Sequence, residues 1–382
     1  MGHLVNVLKS AVIALAVTLA CTSANAAAPA AAVAPASAPR VTLGHVAVWA
    51  EDIEATSRFL TDVVGWRRHP MRFGIDSSDR TIGGIDLANI DANGLWIELV
   101  SPTSPGAAMD VLKAKGNGAI GELVVLSTDF DGLAKEMKQR GITLQNMDGT
   151  DRKGPEAISL AIEQDGVRRP HSLRVGYWPS EVSRGTAVEV VEYSPGVPEN
   201  VIAIREQTRQ REPFPAGTPR LDRICIIVKD IDASARFYTE VLGFRRIPLE
   251  FGLDGATNAQ SGGMKGAFID TGGVWLALVQ PVGPGPLMDY LEKKGDGHVA
   301  ELIAEVDNLD AYYDAMKARG ITLVDTRGEP LSEQKKAHVL EPYGDRIAYF
   351  PTSVSHGMVI EVFQRGSTPA SLMRQRDALQ VR

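Results

Sequence analysis

The sequence predicts an α+β chain built from four like modules in two tandem halves, and three observations carry that prediction. A polar residue, a short apolar strand and an Asp or Asn placed to cap a helix recur at His45–Ile53, Glu122–Phe130, Arg223–Ile231 and Glu301–Leu309. Each copy leads into a helix that ends at a glycine, from Asp52 to Gly65, Asp129 to Gly141, Asp230 to Gly243 and Asn308 to Gly320. An Asx side chain accepts from the first turn's N–H groups, and Gly tolerates the left-handed conformation past the last turn, so both ends are marked. The copies also alternate in type. Val-Val-Gly65-Trp and Val-Leu-Gly243-Phe close the first and third helices, whereas Gln-Arg-Gly141-Ile-Thr and Ala-Arg-Gly320-Ile-Thr close the second and fourth. That order is the mark of a duplicated two-module unit.

Met1 to Ala26 reads as an export signal: Lys9 gives the positive start, Ala11 to Ala20 an apolar run, and Ala24-Asn-Ala26 a small-residue cleavage site. The mature protein is therefore expected in the periplasm or secreted. A lipoprotein anchored at Cys21 is the competing reading, weakened by Thr18 where such signals carry an aliphatic residue. Residues 27–40, rich in Ala and Pro, form an expected flexible leader. Beyond it Cys225 is the only cysteine, so no intramolecular disulfide is available. A net charge of -7 with acids and bases interspersed disfavours nucleic acid and anionic membrane surfaces as partners. No later stretch approaches the roughly 20 apolar residues of a membrane span.

In the first module, strand-like runs follow the helix near Arg67–Arg72, Thr81–Leu87 and Leu95–Val100; in the third they lie near Arg245–Glu250, Gly266–Ile269 and Val274–Val279. The second and fourth modules close with Thr186–Tyr193 and Met358–Gln364. Each module is thus a strand, a helix and about three more strands. The connector Pro102–Asp110 matches Pro281–Asp289, which supports the duplication. The expected units are a first domain at 41–195, a linker rich in Pro and charge at 196–218, a second domain at 219–366 and a tail at 367–382.

With these strand-helix motifs, and phrases such as Asp230-Ile-Asp-Ala-Ser-Ala-Arg-Phe-Tyr-Thr-Glu-Val-Leu-Gly243-Phe, the chain resembles the vicinal oxygen chelate superfamily over about residues 41–366. That superfamily includes glyoxalase I, methylmalonyl-CoA epimerase, fosfomycin and bleomycin resistance proteins and extradiol dioxygenases. The resemblance implies paired βαβββ modules curled into half-barrel sheets, four modules in two domains, with helices outside and a cavity inside. It also implies a divalent metal held by the first residue of the opening strand and a residue of the last strand, in each of two modules. Carried over, module one offers His45 and Glu98, module two Glu122 and Glu189, module three Arg223 and Ala277, and module four Glu301 and Glu361. The expected metal set is His45, Glu98, Glu122 and Glu189, with Glu122 and Glu189 also catalytic. If module one pairs with module four instead, the set becomes His45, Glu98, Glu301 and Glu361.

Strand alternation checks the transfer independently. His45 shares a face with Leu43, Ala47 and Trp49, while Val46 and Val48 point the other way; Glu98 goes with Trp96 and Val100, opposite Leu95, Ile97 and Leu99. A carboxylate in such a strand is costly unless paired or bound to a cation. One imidazole with three carboxylates suits a hard divalent cation, Mn, Ni, Mg, Ca or Fe(II), with Zn also admissible. The second half looks disarmed, because Arg223 is no ligand and Ala277 has no donor. Arg223 is expected to pair with Glu301 or Glu361, as structural glue or as a clamp on a substrate carboxylate. His69, His171, His298, His338 and His356 are expected in loops or at strand edges, with His356 the one candidate proton shuttle.

The expected function is a metal-dependent isomerase or lyase acting on a small oxygenated molecule. A ring-cleaving dioxygenase of extradiol type is the alternative within enzymes, and a non-catalytic binding or sequestering protein the alternative outside them. The expected partner is a small-molecule substrate, with no nucleic acid and no membrane span, and a homodimer is the assembly to test.

Overall fold

Asp52, Asp129, Asp230 and Asn308 each accept a side-chain hydrogen bond from the backbone N–H three residues on, at 2.9–3.0 Å, so all four expected caps form. The computed structural model in which they are seen describes residues 41–75, 82–152, 157–164, 167–193, 197, 213–253, 262–340 and 345–366. The expected signal, leader and tail, and residues 198–212 of the linker, lie outside the described residues.

The first half runs β1 (Thr42–Trp49), α1 (Ile53–Arg58), β2 (Arg67–Ile75), β3 (Ile85–Asp91), β4 (Trp96–Pro102), α2 (Ala107–Lys115), β5 (Ile120–Leu126), α3 (Phe130–Gln139), β6 (Ala157–Gln164), β7 (Val167–Tyr177), α4 (Ser180–Ser183) and β8 (Val188–Tyr193). The second runs β9 (Arg220–Ile227), α5 (Ile231–Arg236), β10 (Arg245–Leu253), β11 (Met264–Asp270), β12 (Trp275–Pro281), α6 (Pro286–Lys294), β13 (His298–Glu305), α7 (Leu309–Ala318), β14 (His338–Leu340), β15 (Asp345–Tyr349) and β16 (Ile360–Gln364). The expected strand at Thr81–Leu87 lies further on, at Ile85–Asp91. Both matching connectors contain helices, α2 and α6, each opening after a glycine.

Two local features were not foreseen, the π turns that follow the first and third helices and a bulge in β1. After α1 and α5 the backbone widens into π turns at Phe59–Val64 and Phe237–Val241, and Gly65 and Gly243 then turn the chain at φ 90° and 80°. In β1 the pairing with β5 shifts register between Leu43 and His45. This bulge at Gly44 puts Leu43 against the helix-side core rather than on the face of His45, which corrects the simple alternation.

The strand order in the first half is β1-β4-β3-β2-β6-β7-β8-β5, and β5 pairs back onto β1, so the sheet is a closed barrel rather than the expected half-barrel. Closure depends on the β6–β7 hairpin: β6 spans 8 residues and β7 11, long enough for Phe73, Gly74 and Ile75 of β2 to pair with Ile162, Ala161 and Leu160. In the second half the corresponding strands, β14 and β15, span 3 and 5 residues. That sheet, β10-β11-β12-β9-β13-β16-β15-β14, shows no pairing between its end strands among the described residues.

Sheets pair within halves, and helices meet between them. The arginines just past α3 and α7 donate to carbonyls of the opposite half's π turn, Arg140 to Glu240 (3.1 Å) and Arg319 to Asp62 (2.7 Å). Phe59 meets Phe350 edge-to-face at 5.3 Å, and Trp66 Nε1 donates to Pro219 O at 2.9 Å. One apolar core therefore runs through the helix sides of both halves, including Val46, Val48, Ile224 and Ile226, while each sheet interior has its own cluster.

At this seam Gly118 sits at φ 76°, and a Cβ there would lie 2.3 Å from Met358 N and 2.4 Å from His356 O. Both neighbours are backbone and have no rotamer to yield. Gly118→Ala is expected to destabilise the protein by about 2 kcal/mol or more, from left-handed strain plus the clash. Urea unfolding reads this, and a wild-type midpoint would show that the halves are not in contact there.

Candidate active site in the first barrel

Register places the site around a small residue. Ala47 of β1 pairs with Glu98 of β4 on one side and Glu122 of β5 on the other. Val124, two residues beyond Glu122, pairs with His45 on β1 and with Glu189 on β8, and Glu189 in turn pairs with Tyr177 of β7. Because side chains alternate across a strand, His45, Glu98, Glu122, Glu189 and Tyr177 all face the barrel interior. All five line one cavity of about 280 Å³, so the sequence-derived set of the first half is brought to one place. The alternative set with Glu301 and Glu361 is not formed, since those residues belong to the other sheet.

These five residues fall into a pair and a group of three. His45 Nε2 lies 3.3 Å from Glu98 Oε2. Tyr177 Oη lies 3.1 Å from Glu189 Oε1 and 3.4 Å from Glu122 Oε2. One phenol carries one proton, so both contacts are hydrogen bonds together only when one of the two carboxyls is protonated and donates back to the phenol oxygen. The electrostatics agree. Burial raises Glu122 to about 7, with Lys115 of α2 drawing it down and Glu98 pushing it further up. Burial, then repulsion from Glu122 and Glu98, lifts Glu189 well above the carboxylate range. Tyr193, at the end of β8, lines the same cavity, and burial with Glu98 and Glu189 raises its phenol as well.

Neither Tyr177 nor the cavity wall was anticipated. Tyr177 carries a signal in retrospect: Val175-Gly-Tyr177-Trp and Ile347-Ala-Tyr349-Phe occupy matching places before the last strand of each half, and Tyr349 donates to Glu361 as Tyr177 does to Glu189. The expected proton shuttle His356 is not among the cavity residues; it lies beside Phe59 at the seam, at φ 54°. His69 is buried in β2 against Trp96 rather than in a loop, and its burial lowers it to about 4.

The second interior is filled. Asn89, Glu98 and Val191 of the first half correspond to Phe268, Ala277 and Phe363, and these three pack in one apolar cluster with Cys225, Ile303 and Tyr349. Arg223, in the place of His45, makes no hydrogen bond to Glu301 or Glu361, the two partners expected for it. Its Nε donates to Asp222 at 2.8 Å, and its guanidinium lies 4.3 Å over the Phe363 ring. The cause is local: Asp222 replaces Gly44 at the bulge and offers Arg223 and Arg365 a nearer carboxylate. Both oxygens of Glu301 are buried with no hydrogen-bond partner. Arg223, Glu301 and Glu361, expected to bind substrate, are instead buried in this packed interior, and none of them lines the first-barrel cavity.

Whether the first-barrel set suits a metal turns on its chemistry. Two carboxyls held above their ordinary range by burial and mutual repulsion, beside a third carboxylate and an imidazole, are the donors that a hard divalent cation would stabilise. Among the described residues no three His, Cys, Asp or Glu side chains already converge on one point.

Residues 220–349 match the Glyoxalase/Bleomycin resistance protein/Dioxygenase superfamily. Human mitochondrial methylmalonyl-CoA epimerase is 25% identical over 146 residues, which cover 38% of this chain and 73% of that protein. Among solved structures, a mutant 4-hydroxymandelate synthase from Streptomyces coelicolor aligns with 88% of this chain and 97% of its own at a TM-score of 0.53 and 12% identity, a likeness of fold. Methylmalonyl-CoA epimerase from Mycobacterium tuberculosis aligns with 42% of this chain and 99% of its own, at 22% identity and a TM-score of 0.34. The family match lies in the half whose interior is filled. Sequence likeness here follows the fold rather than the cavity. Among the described residues no helix is long and apolar enough to cross a membrane.

Proposed function

We propose that this chain, which belongs to the Glyoxalase/Bleomycin resistance protein/Dioxygenase superfamily, is an isomerase or lyase that moves a proton on a small oxygenated molecule bound in its first barrel. One observation carries the reading: Glu122 and Glu189 meet through Tyr177 in the barrel cavity, both with proton affinity raised by burial. Two carboxyls sharing one phenol in this way can supply a base and an acid at one pH. Glu122, raised to about 7, is substantially ionised at neutral pH and accepts a proton from carbon. Glu189, which burial and repulsion from Glu122 and Glu98 lift well above the carboxylate range, is the proton donor in this reading. Tyr177 fixes both carboxyls, and the apolar wall keeps water from competing.

His45, Glu98, Glu122 and Glu189 are the residues that would hold a divalent cation, with Mn, Ni, Mg, Ca, Fe(II) and Zn as candidates. Such an ion would supply Lewis acidity toward the substrate's oxygens. A ring-cleaving chemistry that calls on two imidazoles is less well served, since His45 is the one histidine among the lining residues. The export signal read in residues 1–26 supports a periplasmic or secreted enzyme.

Elemental analysis of the purified protein, with His45→Ala and Glu98→Ala, tests the metal. Near-stoichiometric metal is expected in the wild type, and at least tenfold less in each variant. Methyl deuterium exchange of 1-phenylpropane-1,2-dione in heavy water tests proton transfer directly. If no exchange above the buffer rate is seen under any metal loading, the catalytic reading falls and a binding protein takes its place.

A further inference from the structure

We infer that the first barrel takes a small, neutral molecule with an apolar body and one oxygenated end, engulfed whole, and discriminates against carboxylate- and phosphate-bearing ligands. The inference rests on the reading of this barrel as the reactive site and names the class of molecule it accepts. A polar cluster meets a largely apolar lining, which also includes Asn146 and Arg152. Beyond His45, Glu98, Glu122, Glu189 and the two tyrosines, its wall is formed by residues such as Phe73, Ile85, Leu160, Leu173, Val175 and Val191. This wall exists because β6 and β7 are long enough to close the sheet onto β2. A ligand gains by burying apolar surface along that wall.

Charge in the polar cluster decides which ligand heads are tolerated. Three carboxyls crowd there beside one imidazole, so a further anion would meet carboxylate charge. The one cation among the described lining residues is Arg152. It donates Nη1 to the Val175 carbonyl and lies 5.1 Å over the Phe130 ring, so its guanidinium is already engaged. Size sets the remaining limit. At about 280 Å³ the cavity lies at the small end of the range that holds drug-sized ligands, roughly 300–1,000 Å³, and fits a one-ring molecule rather than a nucleotide-bearing thioester.

A matched set of probes tests this at pH 7 by isothermal titration: 1-phenylpropane-1,2-dione as the neutral ligand, benzoylformate as its anionic counterpart, and methylmalonyl-CoA as a carrier thioester. The dione is expected to bind at least tenfold more tightly than either anion. Val191→Phe installs the residue that the second half carries at the same place, Phe363, so the fold has precedent for it, and it is expected to weaken dione binding at least tenfold. Near-UV circular dichroism confirms that the variant is folded; if it is not, Asn89→Phe, matching Phe268, replaces it. Benzoylformate or methylmalonyl-CoA binding as tightly as the dione would overturn the inference. So would dione binding that survives the filled cavity, or no dione binding at millimolar concentration. Binding is read without turnover, so tight, cavity-dependent binding of the dione with no proton exchange would sink the catalytic reading and leave this one standing.

Discussion

Glu122→Gln is expected to lower the rate of methyl deuterium exchange by about 10²–10⁴-fold, the usual contribution of a positioned general base, while leaving the protein at least as stable as wild type. The two effects have one origin. Burial raises Glu122 to about 7 because the ionised form is poorly solvated beside Glu98, and that same placement makes it a base at neutral pH. Wild-type exchange should therefore rise with pH through about 7 as Glu122 loses its proton, and the Gln variant should be flat there. Stability runs the other way. The unfolded carboxyl ionises near 4.5 and the folded one near 7, so the folded state binds more protons between those values and loses stability as pH rises across them. The advantage of Glu122→Gln should be absent at pH 4.5 and complete above about pH 7, on the order of 1–3 kcal/mol. Urea midpoints at the two pH values read the stability, and metal content measured alongside separates loss of a base from loss of an ion. An unchanged exchange rate in the Gln variant would remove Glu122 from the chemistry.

Local signals in this sequence were read well, because local geometry decides them. The caps at Asp52, Asp129, Asp230 and Asn308 need only a side chain and the first turn that follows it, and all four form. The inward face of β1 at His45, Ala47 and Trp49 follows from a period of two, and all three line the cavity. What escaped depends on distant partners. Strand β7 begins Val167-Arg-Arg-Pro-His171, which reads as a loop; it holds as a strand because β6 and β8 pair with it on both sides, and Tyr177 was lost with it. The bulge at Gly44 is invisible in a run that alternates acceptably without it, and its counterpart Asp222 is what diverts Arg223 from Glu301. Module pairing has no local signature at all. It is set by the hairpin that closes the first sheet and by arginine contacts joining residues 100 and 257 apart in the chain.

The second half offers the opposite experiment at the same register position. Glu301→Met is expected to stabilise the protein by about 1–3 kcal/mol at pH 7, because a buried acid without a hydrogen bond forfeits its solvation and gains nothing in return. Glu301 is 1% exposed, and neither of its oxygens has a hydrogen-bond partner. Burial first, then Glu361, lifts it well above its ordinary range, while Arg223 opposes the shift from a position already committed to Asp222 and Phe363. Methionine has similar length and no branch, so it can lie where the carboxyl lies among Cys225, Ile303 and Phe363. The gain should grow as pH rises from 5 to 8, since the unfolded chain ionises Glu301 and the folded chain resists doing so. Exchange in the first barrel should be unchanged, for its cavity includes no residue of this cluster. The same substitution at Glu122 would remove the base beside Tyr177 and end exchange. Two glutamates at one place in one fold thus separate by what surrounds them, an accessible cavity with Lys115 nearby in one case and a packed interior in the other. Destabilisation by Glu301→Met would mean that the second interior uses its acid, and urea midpoints at pH 5 and 8 decide between the two.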